Sequence, residues 1–520
     1  MTIANLDLAV FVVYVIGLIG VAWWVSREKQ GHEKNTNDYF LAGNSLPWWA
    51  IGASLIAANI SAEQIIGMSG SGYKIGLAIA SYEWMAAITL IIVGKFFLPI
   101  FLKNKIYTMP QFLEQRYDHR VRIVMAIFWL GVYVFVNLTA VLWLGALAIN
   151  TITGVDLMYG MIFLGVFSLA YSLYGGLKAV AMTDIIQVVL LVFGGLFLSY
   201  TALNLISDGN GVWRGFTTLT TELPGKFDMI LSADSEHYMD LPGISVLIGG
   251  MWIMNLSYWG FNQYIIQRTL AAKSVTEAQK GIVFAAFLKL LMPLIVVLPG
   301  IAAVILVPEL SRPDQAYPSL MNVMPVGIKG LIFAALVAAI VSSLASMTNS
   351  VSTIFTMDIY SDKRPGKSQH HYVLVGRIVS VTALVIAMIA AKPLLGKFDQ
   401  AFQFIQEFTG FFTPGIVALF VLGMFWKRTT ATGGLVAAIG SAVLSFGFYL
   451  LWPTLPFMDR VGLVFLLCVV AALVVSHLGK GHKTEQPVEL SEVNFGTTAG
   501  FNIASVAVCI VLIAFYTVWW

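Results

Sequence analysis

The stretch WWAIGASLIAANISAEQIIG, residues 48–67, decides how the rest of the chain is read. It begins as an apolar helix. It then sets Asn59, Ser61, Glu63 and Gln64 at the depth where a membrane helix should be most apolar, with Gly67, Gly70 and Gly72 close behind. Lipid supplies no hydrogen-bond partners, so irregular backbone at that depth must face a protein-lined cavity. A charged side chain there costs about 2.5–3.5 kcal/mol on insertion scales, so Glu63 needs a partner or a cavity. The segment reads as a transmembrane helix broken at Asn59–Gln64.

The surrounding sequence is that of a membrane protein. Of 520 residues, 58% are hydrophobic and 11% charged, against about 25% charged in soluble domains. Charges sit in short clusters between continuous apolar runs, without the alternation of a membrane β-barrel. An all-α polytopic bundle is the remaining solution. About fourteen runs approach the length of a transmembrane span. They cover 7–25, 48–66, 77–101, 122–150, 158–174, 180–205, 243–262, 279–305, 328–359, 373–392, 399–424, 430–451, 460–477 and 500–519. Assigning alternate loops to opposite sides puts about 19 Lys and Arg on one side and about 7 on the other. The basic side is then cytoplasmic and both termini are expected outside. Arg27 and Lys29 follow the first apolar run and no basic residue precedes it, so it reads as a helix, not a cleaved signal peptide.

The same sequence excludes several function classes. Cys468 and Cys509 lie inside apolar runs and imply neither a disulfide framework nor a metal site. A net charge of +3 gives no basis for nucleic-acid binding. No H-E-x-x-H or paired-Asp pattern supports an intramembrane enzyme, and no cofactor motif is present. The loop 206–242 is acidic and carries Trp213 and Phe216. It reads either as a vestibule wall or as a solvated surface.

A second run, GISVLIGGMWIMNLSYWGFNQY at 243–264, resembles the first in kind, with Gly249 and Gly250 and then Asn255, Ser257, Asn262 and Gln263. Five spans separate the two breaks. Interrupted helices at corresponding positions of two halves point to a transporter site between inverted repeats. The expected plan is one domain over 1–520. A leading helix at 7–25 precedes five-helix repeats at 48–205 and 243–424, and three peripheral helices follow at 430–519.

Polar residues inside the spans then define candidate sites. Glu63, Glu83, Asp184 and Lys289 carry charge at mid-depth, and Gln406 lies in the span 399–424. Glu83 and Lys289 could form a structural ion pair, and a membrane glutamine often only joins helices. Together, however, Glu63, Gln64, Glu83, Asn255, Lys289 and Gln406 offer acceptors, donors and an ammonium, with Tyr82, Tyr258, Trp259 and Phe402 nearby. That mixture suits the many hydroxyls of a sugar and the faces of its ring. In AAIVSSLASMTNS, 338–350, Ser342 and Ser343 place hydroxyls in an apolar helix. Sodium takes oxygen ligands, and a broken helix frees carbonyls. Carbonyls near Ala57 and Ile60, that of Ala339 and both hydroxyls could hold it. Serines in membrane helices also bond back to their own helix.

Long motifs carry a resemblance along nearly the whole chain. They are YFLAGNSLPWWAIGASLIAANISAEQ (39–64), SYEWM (81–85), YSLYGGLKAVAMTDIIQ (171–187), YWGFNQYIIQRTLAAKS (258–274), AAIVSSLASM (338–347) and FQFIQEFTG (402–410). The sequence resembles the sodium/solute symporter family, in its bacterial sodium–galactose branch, which is related to the human glucose cotransporters. The resemblance implies fourteen helices, a core of two inverted five-helix repeats and sodium-driven hexose import across a bacterial inner membrane. It implies sodium at Ala57, Ile60, Ala339, Ser342 and Ser343. Sugar would lie at Glu63, Gln64, Glu83, Asn255, Lys289 and Gln406, with Asn59 and Ser61 near. Tyr258 would stack on the sugar and block the inner exit, Met68, Tyr133 and Phe402 would close the outer side, and Asp184 would lie on the sodium exit path. One departure bears on the substrate: the galactose branch has serine three positions after the glutamate of SYEWM, where this chain has Ala86. Position 257, aromatic in that branch, is Ser257 here. Rival readings are a symporter for inositol, sialic acid or an amino acid, and a sugar sensor or channel.

Overall fold

The computed structural model describes residues 3–26, 45–106, 108–174, 177–479 and 488–520, with the side chains at 22, 25, 26, 171–174, 177–181 and 369 excluded. Arg27, Lys29, Lys34, Lys480 and Lys483 of the charge count lie outside the described residues, as do positions 39–44 of the first motif and the side chain of Lys178. Among the described residues all regular elements are helical, and one isolated β-bridge joins Leu46 to Ala272.

Nine described helices are long and apolar enough to cross a membrane. Two more crossings are bent pairs, Trp48–Asn59 with Glu63–Lys74 at 60° and Ala401–Thr409 with Thr413–Phe425 at 48°. Asn5–Val21 and Leu157–Ala170 are shorter apolar helices. Burial sorts the spans into centre and periphery. The most apolar window of His119–Thr153 is 94% buried and that of Ile328–Lys363 89%, whereas Ala499–Val518 is 17% buried. Lipid-facing apolar side chains account for the difference.

The first break follows from local hydrogen bonding. Trp48–Asn59 ends when the Ser61 N–H donates to the Asn59 carbonyl at 2.8 Å instead of closing on Ala57. The Ser61 hydroxyl then accepts the Glu63 N–H at 3.3 Å and starts the second half. That half runs as a π turn, Glu63–Gly67, and an α-helix, Met68–Lys74. The span therefore extends to 74 rather than ending near 66. Its glycines serve close packing: a Cβ on Gly70 would stand 2.6 Å from the Asp314 carboxylate.

The second interrupted segment is helical at Ser245–Ile248, bends at Gly249, and continues through Gly250–Leu256 into a π turn, Ser257–Phe261. Asn262 is extended, and Gln263–Leu270 forms a separate helix beyond it. The break thus falls at Asn262, and helix continues past the expected end of the span. A third break, in the span expected as continuous at 399–424, lies at Gly410–Phe412 before Pro414. The acidic loop is folded as well. Its helix Val212–Glu222 sets Phe216 edge-on to Phe227 and Trp519, while Trp213 stays 81% exposed.

The leading helix Asn5–Ser26 packs on Ile328–Thr353, the helix of Ser342 and Ser343. Asp7, fully buried, caps that helix from outside it. Its Oδ1 accepts the N–H of Gly327 at 2.6 Å and of Gly330 at 2.9 Å, and Lys329 Nζ lies 3.7 Å from Oδ2. A carboxylate at a helix N-terminus satisfies orphan donors and meets the positive end of the dipole. Asp7→Ala is expected to lower stability by about 0.5–2 kcal/mol, with Asp7→Asn losing less. Thermal unfolding of the purified variants in detergent measures both.

Candidate functional site

The three breaks converge on one cavity of about 820 Å³, its mouth included. Asn59, Glu63 and Gln64 line it from the first broken span, Glu83 and Ala86 from Ser81–Ile92, and Asn255, Ser257 and Tyr258 from the second segment. Tyr133 and Asn137 enter from the π turn Tyr133–Leu138, and Phe402, Gln406 and Thr409 from the helix before the third break. Three π turns, at 63–67, 133–138 and 257–261, thus deliver wall residues. Such single wide turns recur at functional sites because they re-aim the side chains that follow.

Charge in the wall is balanced by a group behind it. Lys289, fully buried on Val275–Met292, reaches Glu83 Oε2 at 2.5 Å and donates to Asn59 Oδ1. Its ammonium lies 4.8 Å from the Trp259 ring centre. Asn59 Nδ2 donates to the Tyr258 hydroxyl at 3.1 Å, and the Tyr264 hydroxyl donates to the same oxygen at 3.3 Å. Several wall atoms remain without protein partners. Asn137 hydrogen-bonds the Glu63 carboxylate, yet Glu63 Oε1, Gln64 Oε1 and the Tyr82 hydroxyl are buried and unpartnered among the described residues. Buried polar atoms are normally satisfied, so the cavity presents vacant acceptors and a hydroxyl to whatever enters. Asn255 donates back to the Met251 carbonyl at 3.2 Å, which leaves its own carbonyl oxygen for the cavity.

Not every expected sugar or gate residue lines the wall. Ser61 is committed to the backbone of the break, Lys289 stands behind Glu83 and Asn59, and Met68 is fully buried at the start of Met68–Lys74. Phe402 meets Tyr82 edge-on at 5.1 Å. Tyr133 donates to Asn262 Oδ1 at 2.8 Å and packs edge-on to Tyr264 at 5.8 Å, and it lines the same cavity as Phe402.

A second cluster lies where Trp48–Asn59 meets Ile328–Thr353. The diverted Ser61 N–H leaves the Ala57 carbonyl without its α-helical donor. Ile60 ends the first half with ψ 79°, outside the helical range. Ser343 Oγ is buried and unpartnered among the described residues, while Ser342 Oγ donates to Asp184 Oδ1 at 2.8 Å. Ala339 is one turn earlier on the same helix and buried. Ser54 Oγ donates to Asp184 Oδ2 at 3.1 Å, and Arg268 Nη2 stands 3.6 Å from that oxygen.

Asp314, Asn137 and Arg268 were not anticipated from sequence. Asn137 sits in an ordinary-looking apolar run, Asp314 in a loop, and Arg268 beyond the expected end of its span. Asp314 Oδ2 accepts the Ala401 N–H at 3.0 Å, next to Phe402, while its Oδ1 is buried without a partner. Around it lie Arg312, Lys74 and Asp399, the last two paired at 3.1 Å. Burial pushes the Asp314 carboxyl up to about 7.

Comparison with known proteins gives the chain's relatives. The model of the sodium:solute symporter family matches residues 39–440. The sodium/glucose cotransporter of Vibrio parahaemolyticus is 53% identical over 99% of this chain and 98% of its own length. The sodium/myo-inositol cotransporter 2 of Sus scrofa is 32% identical over 86% of this chain and 71% of its own. Among solved structures, a substrate-bound, outward-open Na⁺-coupled sialic acid symporter matches with a TM-score of 0.79 at 24% identity, over 92% of this chain and 99% of that one. The last likeness concerns the fold.

Asp314 gives the site a measurable pH signature. Its folded-state pKa, raised to about 7, exceeds the unfolded value near 4, so the folded protein holds the proton more tightly. Its contribution to stability is full below about pH 4 and is lost as pH rises through about 7. Asp314→Asn keeps an acceptor for the Ala401 N–H and removes this slope. Between pH 5 and 8 the melting temperature of the unaltered protein should fall more than that of Asp314→Asn; equal slopes would contradict the assignment.

Proposed function

The chain belongs to the sodium:solute symporter family, and from that premise we propose that it imports a hexose, glucose or galactose, by alternating access with one sodium ion per sugar. It is a multi-pass transporter, not an enzyme, and sodium is its coupling ion. The observation that carries the hexose reading is the cavity wall: carboxylates, amides and tyrosine hydroxyls with vacant hydrogen-bonding atoms, closed by aromatic rings. The likeness to a sodium/glucose cotransporter at 53% identity supports it.

In this reading the fourteen spans comprise the leading helix, inverted repeats at 48–205 and 243–424, and three peripheral helices. The protein sits in a bacterial inner membrane with both termini outside. Sodium binds the carbonyls of Ala57, Ile60 and Ala339 and the hydroxyls of Ser342 and Ser343. The sugar meets Asn59, Glu63, Gln64, Glu83, Asn255 and Gln406, while Lys289 holds Glu83 and Asn59 in place and Ser61 shapes the break. Phe402 and Met68 close the outer side. Tyr133 joins Phe402 and Met68 on the outer side, and Tyr258, braced by Asn59 and Tyr264, closes the inner side. Sodium entry favours the outward-open, sugar-competent state; its release past Asp184 precedes sugar release. One ion suffices energetically. A charge crossing 100 mV supplies about 2.3 kcal/mol and a tenfold gradient about 1.4 kcal/mol, together enough for roughly 500-fold accumulation. The likeness to an inositol cotransporter supports a second solute, myo-inositol, which lacks a ring oxygen but carries a similar set of hydroxyls.

Purified protein in liposomes should take up labelled glucose when an inward sodium gradient is imposed and not without sodium. Sodium-independent uptake would remove the coupling, and myo-inositol outcompeting glucose would favour the second solute. Ser343→Ala should raise the sodium concentration for half-maximal uptake by about tenfold or more, the equivalent of roughly 1.4 kcal/mol. Ala86→Ser adds a hydroxyl to the wall and should tighten galactose binding by up to about tenfold, the upper value of one neutral hydrogen bond.

A further inference from the structure

Arg268 belongs to neither ligand set, yet it is 2% exposed in the middle of the bundle and is engaged by three separate helices. Its Nε donates to Ser54 Oγ at 2.9 Å, on the first half of the first broken span. Its Nη2 stands 3.6 Å from Asp184 Oδ2, on Leu177–Ile206, and 3.5 Å from Ser346 Oγ, on the serine helix. Its Nη1 donates to the carbonyl of Tyr264, one turn earlier on its own helix. That helix, Gln263–Leu270, begins directly after the second break.

We propose that Arg268 is a positioning residue that couples the inner gate at Tyr258 to the sodium site at Ser342. The inference rests on the reading of Ser342 and Ser343 as sodium ligands. Two continuous runs of contacts meet at this guanidinium. Toward the cavity, the Tyr264 hydroxyl bonds Tyr258, Tyr258 bonds Asn59, and Asn59 bonds Lys289, the partner of Glu83. Toward the sodium site, Arg268 fixes Ser54 and Asp184, and Asp184 accepts a hydrogen bond from the Ser342 hydroxyl.

The chemistry of Ser342 gives the coupling its direction. A serine hydroxyl has one proton and two lone pairs. Donating the proton to Asp184 turns the lone pairs away from the carboxylate, as a cation ligand requires. Asp184 therefore orients a ligand, as outer partners commonly do around metal ions, and Arg268 orients Asp184. The guanidinium also neutralises Asp184, so the carboxylate does not hold the ion itself. When Tyr258 begins to shift, ahead of sugar release, the Tyr264 contact draws Gln263–Leu270 with it and withdraws the guanidinium. Asp184 is then uncovered beside the serines and pulls sodium off them. The reciprocal step follows from linkage: sodium on the serines favours the arrangement in which Arg268, Tyr264 and Tyr258 are seated.

The planar fork is what spans three helices at once, and lysine, a single point charge on a flexible stem, cannot reproduce it. Arg268→Lys thus keeps the charge and removes the geometry. Glucose affinity is to be measured on full-length protein in detergent with and without saturating sodium, and gradient-driven uptake in liposomes. The expected result is that the ratio of the two affinities, about tenfold or more where sodium and sugar are coupled, falls toward one in Arg268→Lys. Sugar counterflow should then continue while concentrative uptake is lost. A structural defect alone would weaken both affinities by the same factor and leave the ratio unchanged. Tyr264→Phe, which cuts only the bond to Tyr258 and keeps the carbonyl contact of Arg268, should lower the same ratio and carries the test if Arg268→Lys does not fold. Unaltered ratios in the folded variants would overturn the proposal. An unshifted half-maximal sodium concentration in Ser343→Ala would instead overturn the sodium site on which it stands.

Discussion

A helix in lipid is held by its own backbone ladder, and at Ser61 that ladder is interrupted. The interruption is tolerable only because each lost bond finds a local substitute. The Ser61 N–H turns to the Asn59 carbonyl, and the Ser61 hydroxyl receives the Glu63 N–H. The Ala57 carbonyl, relieved of its donor, belongs to a residue buried in the bundle, which is the condition for irregular backbone at membrane depth. Much of the remaining architecture serves this segment. Val275–Met292 packs along it and contributes Lys289, Asp314 closes over Gly70, and Asp7 anchors the helix that faces it.

The break also explains the arrangement of buried charge. Two pairs lie in the interior, Lys289 with Glu83 beside the cavity and Arg268 with Asp184 beside the serines. Each pair is neutral, and removing one partner of such a pair typically costs about 3–5 kcal/mol. Apolar replacements would serve stability as well or better. The pairs do something apolar residues cannot: they aim hydrogen-bonding groups of the broken helix, Asn59 in one case and Ser54 in the other. The middle and the C-terminal end of one short helix are thereby each held by a cation from another part of the bundle.

The sequence disclosed these features unevenly, for physical reasons. Membrane spans and polar mid-span residues are legible because lipid penalises exceptions so heavily; Asn59, Glu63, Glu83 and Lys289 stood out at once. The π turns were not legible. One inserted residue in a helix leaves composition and periodicity almost unchanged, yet it decides that Tyr133 and Asn137 both face the cavity. The break at Gly410–Phe412 was hidden by apolar residues on both sides. Asp7 and Asp314 sit near helix ends, where an acidic residue looks ordinary, and their partners lie hundreds or tens of positions away. Arg268 looked like a loop cation, because a break at Asn262 makes the helix beyond it invisible to a count of apolar residues.

The magnitudes bear on whether a chain of ordinary hydrogen bonds can join two ligands. Sodium entry makes available roughly 3.7 kcal/mol per ion under a 100 mV potential and a tenfold gradient. Measured couplings between sites are typically 1–3 kcal/mol, and a single neutral hydrogen bond is worth about 0.5–1.5 kcal/mol net. A coupling device need therefore bias only two or three bonds between states. A stronger link would hold one state so firmly that the gradient could not reverse it. The contacts between Tyr258 and Ser342 are of that modest kind, tyrosine hydroxyls, a serine, a backbone carbonyl, with one ion pair among them. Their weakness is what lets the same energy that binds sodium on one side be recovered as movement of the gate on the other.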